Sequence, residues 1–160
     1  MCGVTGVINV EHAAIINRIM LHALQNRGRD GCGICVYDSS MSHFESKKFA
    51  GTVASNFTSK VLEEMPGEEG IGHTRYATVR NSSGKENLQP LHFHVGQVPF
   101  AIVHNGNFTN ADTLEKDELK GTPFNAVSDT ERFFRLILRE HRSETSLGRS
   151  IAYALSKMLG

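Results

Sequence analysis

The first residues whose types could do chemistry are Met1, Cys2 and Gly3. Removal of Met1 would give Cys2 a free α-amino group on the carbon that also carries its thiol side chain. An α-amino group has a pKa of about 7.7–8.0, so at neutral pH part of it is unprotonated and can accept the thiol proton. Cys2 is therefore a candidate nucleophile whose base is the chain terminus. The alternative is that Cys2 is a small buried hydrophobic residue.

Two later stretches end in polar groups. Residues 71–78 are typical of a strand that delivers Arg75 to its end, and arginine is suited to bidentate binding of a carboxylate. A surface arginine is the alternative. Asn105 and Gly106 follow an apolar run, and Asn-Gly between strands predicts a hairpin turn. The Asn105 amide and the Gly106 N–H could also stabilise developing negative charge, as an oxyanion hole does.

A helix start supplies one more charged group. Ser128 and Glu131 match a capping box, which leaves the carboxylate of Asp129 available for another role. An attacking thiol, an arginine for a carboxylate, an aspartate for an ammonium and an oxyanion site together fit an amino acid with a reactive side-chain carbonyl. Glutamine is the obvious candidate.

The spacing of the other cysteines and histidines in the sequence does not predict a metal site. Cys32 and Cys35 are three apart in a predicted strand, so they should point to opposite faces, and one such pair is too small for zinc. We interpret both as structural, with redox or metal chemistry as the alternative. His92 and His94 share a strand face without an evident third ligand. We therefore expect these residues not to form a metal site.

Composition limits the class of protein. The chain has 160 residues with 17 Lys+Arg and 17 Asp+Glu, which suits one domain and favours neither nucleic acid nor an anionic membrane as a partner. No apolar run is long enough to span a bilayer, and no secretory signal is evident. Three cysteines without disulfide-framework spacing indicate a reducing compartment, so we expect a cytoplasmic location.

Hydrophobic periodicity predicts the elements that must position these groups. Residues 11–25 form a predicted helix with an apolar face that includes Ile15, Ile19 and Leu24. Three glycines, at 28, 31 and 33, should allow close approach of a ligand or of a neighbouring strand. The predicted strands are 4–10, 34–37, 71–78 and 100–103; residues 39–46 are predicted to be a polar loop; the predicted helices are 11–25, 55–64, 114–119, 128–138 and 145–159.

Five motifs in order carry a family resemblance. They are Cys2-Gly3, Gln25-Asn26-Arg27-Gly28-Arg29-Asp30-Gly31, Gly72-His73-Thr74-Arg75-Tyr76-Ala77-Thr78, Asn105-Gly106-Asn107-Phe108-Thr109-Asn110 and Ser128-Asp129-Thr130-Glu131. With these motifs the chain resembles the class II glutamine amidotransferases, which are N-terminal-nucleophile hydrolases, and is most similar to the glutaminase domain of amidophosphoribosyltransferase. The implied fold is α+β, a four-layer αββα sandwich of mostly antiparallel sheets.

The resemblance also implies a role for each matched residue. Cys2 would attack the glutamine amide with its α-amino group as base, ammonia would leave, and water would cleave the thioester to glutamate. No cofactor is needed. The implied roles are oxyanion stabilisation for Asn105 and Gly106, binding of the α-carboxylate for Arg75 with Thr78, binding of the α-ammonium for Asp129, and bracing of the nucleophile for Arg27.

The resemblance finally bears on organisation and partners. Residues 1–160 are expected to be one glutaminase domain that stops before further strands of the sandwich, without a phosphoribosyltransferase domain. Phosphoribosyl pyrophosphate is the expected acceptor, held by a missing domain or by an acceptor-synthase partner chain. Two alternatives stay open: a glutamine-binding or regulatory domain without turnover, and a truncated domain whose unpaired sheet edges would favour a homo-oligomer. Arg80 stands where the family places glycine, in the loop expected to close over glutamine.

Overall fold

The computed structural model describes residues 1–76, 85–95, 98–124, 128–141 and 145–160. The predicted contact of Thr78 and the question of loop closure at Arg80 lie outside the described residues. Contacts divide the chain into two compact units, residues 1–105 and 106–160. Among the described residues, we find no helix with the length and apolarity that crossing a membrane requires.

The first unit contains all of the described strands. Its elements are β1 (Gly3–Val7), α1 (Ala13–Ala23), β2 (Gly31–Asp38), β3 (His43–Ala50), α2 (Val53–Asn56), α3 (Ser59–Glu63), β4 (Glu69–Arg75), β5 (Leu91–Val95) and β6 (Val98–Ile102), with 3-10 turns at Gln25–Arg27 and Lys85–Asn87. The predicted loop over residues 39–46 is wrong in its second half, because β3 pairs with β2 from His43 onward. The single helix predicted over 55–64 is two short helices, since the Thr58 side chain accepts from the Val61 N–H and begins α3.

An antiparallel four-stranded sheet in the order β1-β4-β2-β3 forms the framework of this unit. Its register places Gly3 of β1 beside Thr74 of β4, and Gly31 of β2 beside Arg75. The start of β1, the end of β4 and the start of β2 therefore meet at one edge of the sheet. This edge holds Cys2 and the motif that ends in Arg75.

Helix α1 packs on the sheet through a face that the apolar pattern did not predict. The buried residues are Ala13, Ala14, Asn17 and Leu21, whereas Ile15 is 41% and Ile19 is 53% exposed. The reason lies in β4, where a Cβ at position 72 would come within 2.8 Å of Leu21. Glycine lets the helix approach the sheet closely, so the face with Leu21 and its neighbours packs on β4 and the face with Ile15 and Ile19 is left exposed.

The buried Asn17 is accommodated by hydrogen bonds. Its Oδ1 accepts from the Thr5 hydroxyl at 2.7 Å, and its Nδ2 donates to the Ala13 carbonyl at 2.9 Å. Because both ends of the amide are paired, its burial does not carry the cost of a lone polar group. A polar residue can thus occupy the centre of the packed helix face.

Side chains of strand β2 alternate between the two faces of the sheet. Cys32, Ile34 and Val36 belong to the core that also contains residues of α1. Cys35 instead lines a cavity of about 900 Å³ that β6 also lines. This confirms the prediction that the two cysteines point to opposite faces of one strand.

Strands β5 and β6 form a second, two-stranded ladder that pairs Leu91 with Ile102 and Phe93 with Phe100. The hairpin turn predicted at Asn105-Gly106 is wrong, because these residues lead from β6 into an irregular connection and then into helix α4 (Ala111–Asp117). The Asn-Gly pair is a turn signal only where a second strand follows, and here the residues that follow are helical.

The second unit is helical in its described residues. It contains α4, α5 (Asp129–Glu140) and α6 (Leu147–Lys157). The predicted cap of α5 is confirmed, since the Ser128 hydroxyl accepts from the Glu131 N–H at 3.2 Å. Glu131 is 1% exposed and its carboxylate lies 2.9 Å from Arg135 one turn later. The chain end returns to the start of the unit, where the Thr109 N–H donates to the Leu159 carbonyl at 2.8 Å.

Candidate active site

The thiol of Cys2 lies at the end of β4. Its Sγ accepts from the Tyr76 N–H at 3.5 Å and lies 4.0 Å from the Tyr76 carbonyl. The N–H of Gly3 donates to the Thr74 hydroxyl at 3.1 Å, so the backbone next to the thiol is also held. Cys2 itself is half-buried, whereas the Met1 residue before it is 77% exposed. The peptide bond between them is therefore accessible to an enzyme that removes Met1.

Arg27 contacts the backbone of the candidate nucleophile. Its Nε donates to the Cys2 carbonyl at 2.9 Å. The 3-10 turn that carries Arg27 is clamped by Gln25, whose amide donates to the Gly28 carbonyl at 2.5 Å and accepts from the Val53 N–H at 2.6 Å. The guanidinium thus approaches Cys2 from a turn that is itself tied to α2.

Gly28 explains how this turn reaches β4. A Cβ at position 28 would lie 2.5 Å from the Arg75 carbonyl carbon and oxygen, so only glycine allows the approach. The Asp30 N–H donates to the same Arg75 carbonyl at 3.0 Å. The sequence left open whether Gly28 allows close approach of a ligand or of a neighbouring strand, and the structure shows the strand β4.

Arg75 occupies the last position of β4. Its Nη1 donates to the Asn87 carbonyl at 2.7 Å, which ties the guanidinium to the 3-10 turn Lys85–Asn87. Asn87 is 3% exposed, so this anchor is buried. Cys2, Arg27 and Arg75 therefore lie at the same edge of the sheet. The Tyr76 N–H holds the Cys2 sulfur, Arg27 donates to the Cys2 carbonyl, and Arg75 donates to the Asn87 carbonyl.

His73 is a buried polar residue that the sequence reasoning did not single out. It is 1% exposed, two positions before Arg75 in β4. The pKa of its imidazole is lowered to about 4, mainly by burial and then by the nearby Arg75 charge; a hydrogen bond with the His104 backbone raises it, and the His104 charge lowers it. The imidazole is therefore neutral at neutral pH. A histidine among glycines and threonine in a strand was the only signal that could have indicated it.

We expect His73 to make stability depend on pH. Because the pKa is depressed in the folded state, the contribution is complete above pH 6.5 and is lost as the pH falls toward about 4, where the unfolded chain binds a proton that the folded chain excludes. Its full size is about 3 kcal/mol of unfolding free energy. Urea unfolding at several pH values should show a clearly shallower pH slope in His73→Leu than in wild type between pH 4 and 6.5.

The control for this measurement is His22→Gln in α1. His22 is an exposed histidine on the same unit, so its replacement tests whether loss of any histidine, and not of the buried one, changes the slope. An unchanged slope in His73→Leu would show that the buried imidazole does not titrate as the structure indicates.

Asn105 follows β6 at the end of the first unit. The N–H of the preceding residue, His104, donates to the Gln89 side-chain Oε1 at 2.6 Å. Asn105 is exposed, and so is Gly106, the first residue of the second unit. The backbone before the predicted oxyanion donor is thus held by a buried side chain, while the donor itself is accessible.

Asp129 is the first residue of α5. Its Oδ2 accepts from the Phe108 N–H at 2.8 Å, and its Oδ1 lies 3.8 Å from Arg132. The side chain is 17% exposed. Within its unit, Asp129 is therefore oriented toward the connection that begins at Gly106.

The other two cysteines, Cys32 and Cys35, have unreactive thiols. Burial raises the pKa of both the Cys32 and the Cys35 thiols to about 12. Such thiols are protonated at neutral pH and are poor nucleophiles. Within the part of the chain that the structure describes, no group of three His, Cys, Asp or Glu residues could hold a metal ion.

Known proteins resemble this chain in sequence. No protein-family model matches it. Amidophosphoribosyltransferase of Rhizobium etli is 37% identical over 147 residues, covering 91% of this chain and 29% of the relative. The Staphylococcus aureus MRSA252 enzyme is 39% identical over 140 residues (86% and 28%), and that of Methanocaldococcus jannaschii is 34% identical over 163 positions (100% and 34%).

Solved structures resemble it in fold. The glutamine phosphoribosylpyrophosphate amidotransferase of B. subtilis, complexed with ADP and GMP, superposes with a TM-score of 0.84 at 34% identity. A structure described as the allosteric regulatory enzyme of purine biosynthesis superposes with 0.85 at 35% identity. Both matches cover 99% of this chain and 33% of the solved chain. The chain therefore spans about a third of the length of these relatives.

These similarities confirm the predicted fold class, an α+β sandwich of the N-terminal-nucleophile type. They extend over the Cys2, Arg75, Asn105 and Asp129 motifs, since the matched region includes nearly the whole chain. The chain is therefore similar in sequence and in fold to amidophosphoribosyltransferases over about a third of their length, in agreement with the resemblance of its motifs to the class II glutamine amidotransferases.

Proposed function

We propose that this chain hydrolyses the side-chain amide of glutamine through a Cys2 thioester and supplies the ammonia to an acceptor. The observation that carries the proposal is the placement of Cys2. Its half-buried sulfur is held by the Tyr76 N–H at 3.5 Å, and Arg27 donates to its carbonyl at 2.9 Å. A positioned thiol next to an accessible Met1 suits an N-terminal nucleophile.

The reaction divides into two steps. After removal of Met1, the Cys2 α-amino group accepts the thiol proton, and the thiolate forms a bond to the amide carbon of glutamine. Collapse of the tetrahedral intermediate breaks the C–N bond, and the leaving amine takes the proton as ammonia. Water then attacks the thioester, which releases glutamate and regenerates the thiol.

The other site residues bind and stabilise in this proposal. Arg75 binds the α-carboxylate, and its tie to the buried Asn87 carbonyl supports a fixed guanidinium. Asn105 and the Gly106 N–H stabilise the oxyanion. Asp129 binds the α-ammonium, and its hydrogen bond from Phe108 supports a fixed carboxylate.

The acceptor follows from the relatives. They are named amidophosphoribosyltransferases, and one of the similar structures is described as an enzyme of purine biosynthesis. We propose that the ammonia goes to phosphoribosyl pyrophosphate in purine synthesis. The acceptor site would lie in a further domain or in a partner synthase chain, because this chain spans only about a third of the relatives.

Intact-mass spectrometry before and after incubation with an electrophilic glutamine analogue tests the proposal. We expect loss of Met1 and a single adduct, which peptide mapping places on Cys2. Cys32 and Cys35 are internal controls, since burial raises the pKa of each thiol to about 12 and keeps it protonated. The adduct should be absent when excess glutamine is added.

Two results would contradict the proposal. Retained Met1 would leave the Cys2 nitrogen in a peptide bond, where it cannot act as a base. No adduct on a folded chain that binds glutamine would indicate a glutamine-binding or regulatory domain without turnover.

A further inference from the structure

The side chain of Gln89 makes a hydrogen bond where strand pairing would otherwise continue, next to the predicted oxyanion donor Asn105. The β5–β6 register pairs Leu91 with Ile102, and two further residues in each direction would place Gln89 opposite His104. Pro90 has no N–H to donate, and the strand pairing ends at Leu91. The side chain takes over instead, because Gln89 Oε1 accepts from the His104 N–H at 2.6 Å.

The backbone of Gln89 is fixed to the main sheet. A Cβ at Gly33 of β2 would collide with the Gln89 carbonyl oxygen and come within 2.9 Å of Pro90 Cδ. Glycine therefore allows this segment to lie directly on β2. Gln89 is 7% exposed, so its hydrogen bond to His104 meets little competition from water.

We propose that Gln89 is a positioning residue that fixes the His104 backbone so that Asn105 presents its side-chain amide to the oxyanion. The inference rests on the proposed function, which takes Asn105 as an oxyanion donor. Such a donor is effective only at about 2.7–3.1 Å from the developing charge, so a small displacement of the backbone weakens it. The loss appears in kcat and not in KM, because the interaction forms mainly in the transition state.

Two variants of matched length test this role in the chain with Met1 removed. Gln89→Met has no acceptor oxygen, and we expect kcat for glutamate formation to fall about 10-fold or more with KM within about twofold; complete loss of a donor costs about 100- to 1,000-fold. Gln89→Glu keeps an acceptor oxygen in either ionisation state and should recover most of the wild-type kcat. In Gln89→Met, NMR should show the His104 amide exchanging with solvent about 10-fold faster.

Two measurements distinguish positioning from general loosening. Alkylation of Cys2 by iodoacetamide forms no oxyanion, so its rate should be equal in wild type and Gln89→Met. If Gln89 acts through Asn105, adding Gln89→Met to Asn105→Ala should lower kcat no further. Slower alkylation, or losses that multiply in the double variant, would overturn the proposed role.

Failure of this inference is separable from failure of the proposed function. If Asn105→Ala loses kcat while Gln89→Met keeps it, Gln89 does not position the donor and the thioester reaction stands. If Asn105→Ala keeps kcat, the oxyanion assignment and the role of Gln89 fall together. Absence of glutamate formation in the wild-type chain overturns the proposed function and the role of Gln89 with it.

Discussion

Cys2→Ala should abolish the formation of glutamate from glutamine while leaving the fold intact. Loss of a catalytic nucleophile lowers kcat by about 10⁴- to 10⁶-fold in enzymes that form covalent intermediates. The thiol is half-buried and its contacts are with the Tyr76 backbone, so its removal leaves no large cavity. Glutamate release should be measured with an assay sensitive to about 0.01% of the wild-type rate, alongside circular dichroism of both proteins.

The buried cysteines supply the matched control. Cys32→Ala makes the same substitution at a cysteine in the core beside α1. It should lower the stability of the protein while retaining most of the activity. A Cys2→Ala variant that retains even a few per cent of the wild-type rate would eliminate the thioester mechanism. Equal losses in both variants would indicate that activity responds to folding and not to the nucleophile.

Asp129→Asn should raise the KM for glutamine by about 10- to 100-fold with a much smaller change in kcat. A hydrogen bond to a charged group contributes about 1.5–3 kcal/mol, and this substitution removes the charge that the substrate ammonium would meet. The amide oxygen of asparagine can still accept from the Phe108 N–H, which the Asp129 carboxylate accepts at 2.8 Å. Steady-state kinetics across a wide glutamine range would measure the change.

Glu115→Gln provides the comparison. Its carboxylate lies 3.0 Å from Arg132, the same arginine that Asp129 approaches at 3.8 Å, so the variant removes a neighbouring negative charge from the same cluster. We expect its KM to stay within about twofold of wild type, since a partly exposed ion pair contributes little. An unchanged KM in Asp129→Asn, or an equal rise in both variants, would remove the assignment of Asp129 to the ammonium.

Local chemistry made several features predictable. The Ser128 cap needs only a hydroxyl placed three residues before an N–H, so the start of α5 follows from adjacent residues. Alternation along a strand depends only on the period of two, and it correctly placed Cys32 and Cys35 on opposite faces of β2. The order of short motifs was enough to indicate the family.

Features set by distant residues were not predictable in the same way. The face that α1 buries depends on glycines of β4, which lie about fifty residues away in the chain and admit Ala13 and Asn17 where a periodic pattern favours Ile15 and Ile19. Asn105-Gly106 carries a turn signal, yet a helix follows it. Local propensity is overridden here by what the neighbouring elements leave room for.

The sequence by itself therefore indicated the candidate reactive groups and the family resemblance. Tertiary structure decided how unit 1 holds them: Arg27 on the Cys2 carbonyl, Tyr76 beside the sulfur, and Gln89 on the His104 amide. It also decided that His73 is neutral at neutral pH, because burial among packed strands and the nearby Arg75 charge together lower the pKa of its imidazole to about 4. Residue types define which chemistry is available, whereas hydrogen bonds and desolvation between segments far apart in the chain define its geometry and protonation.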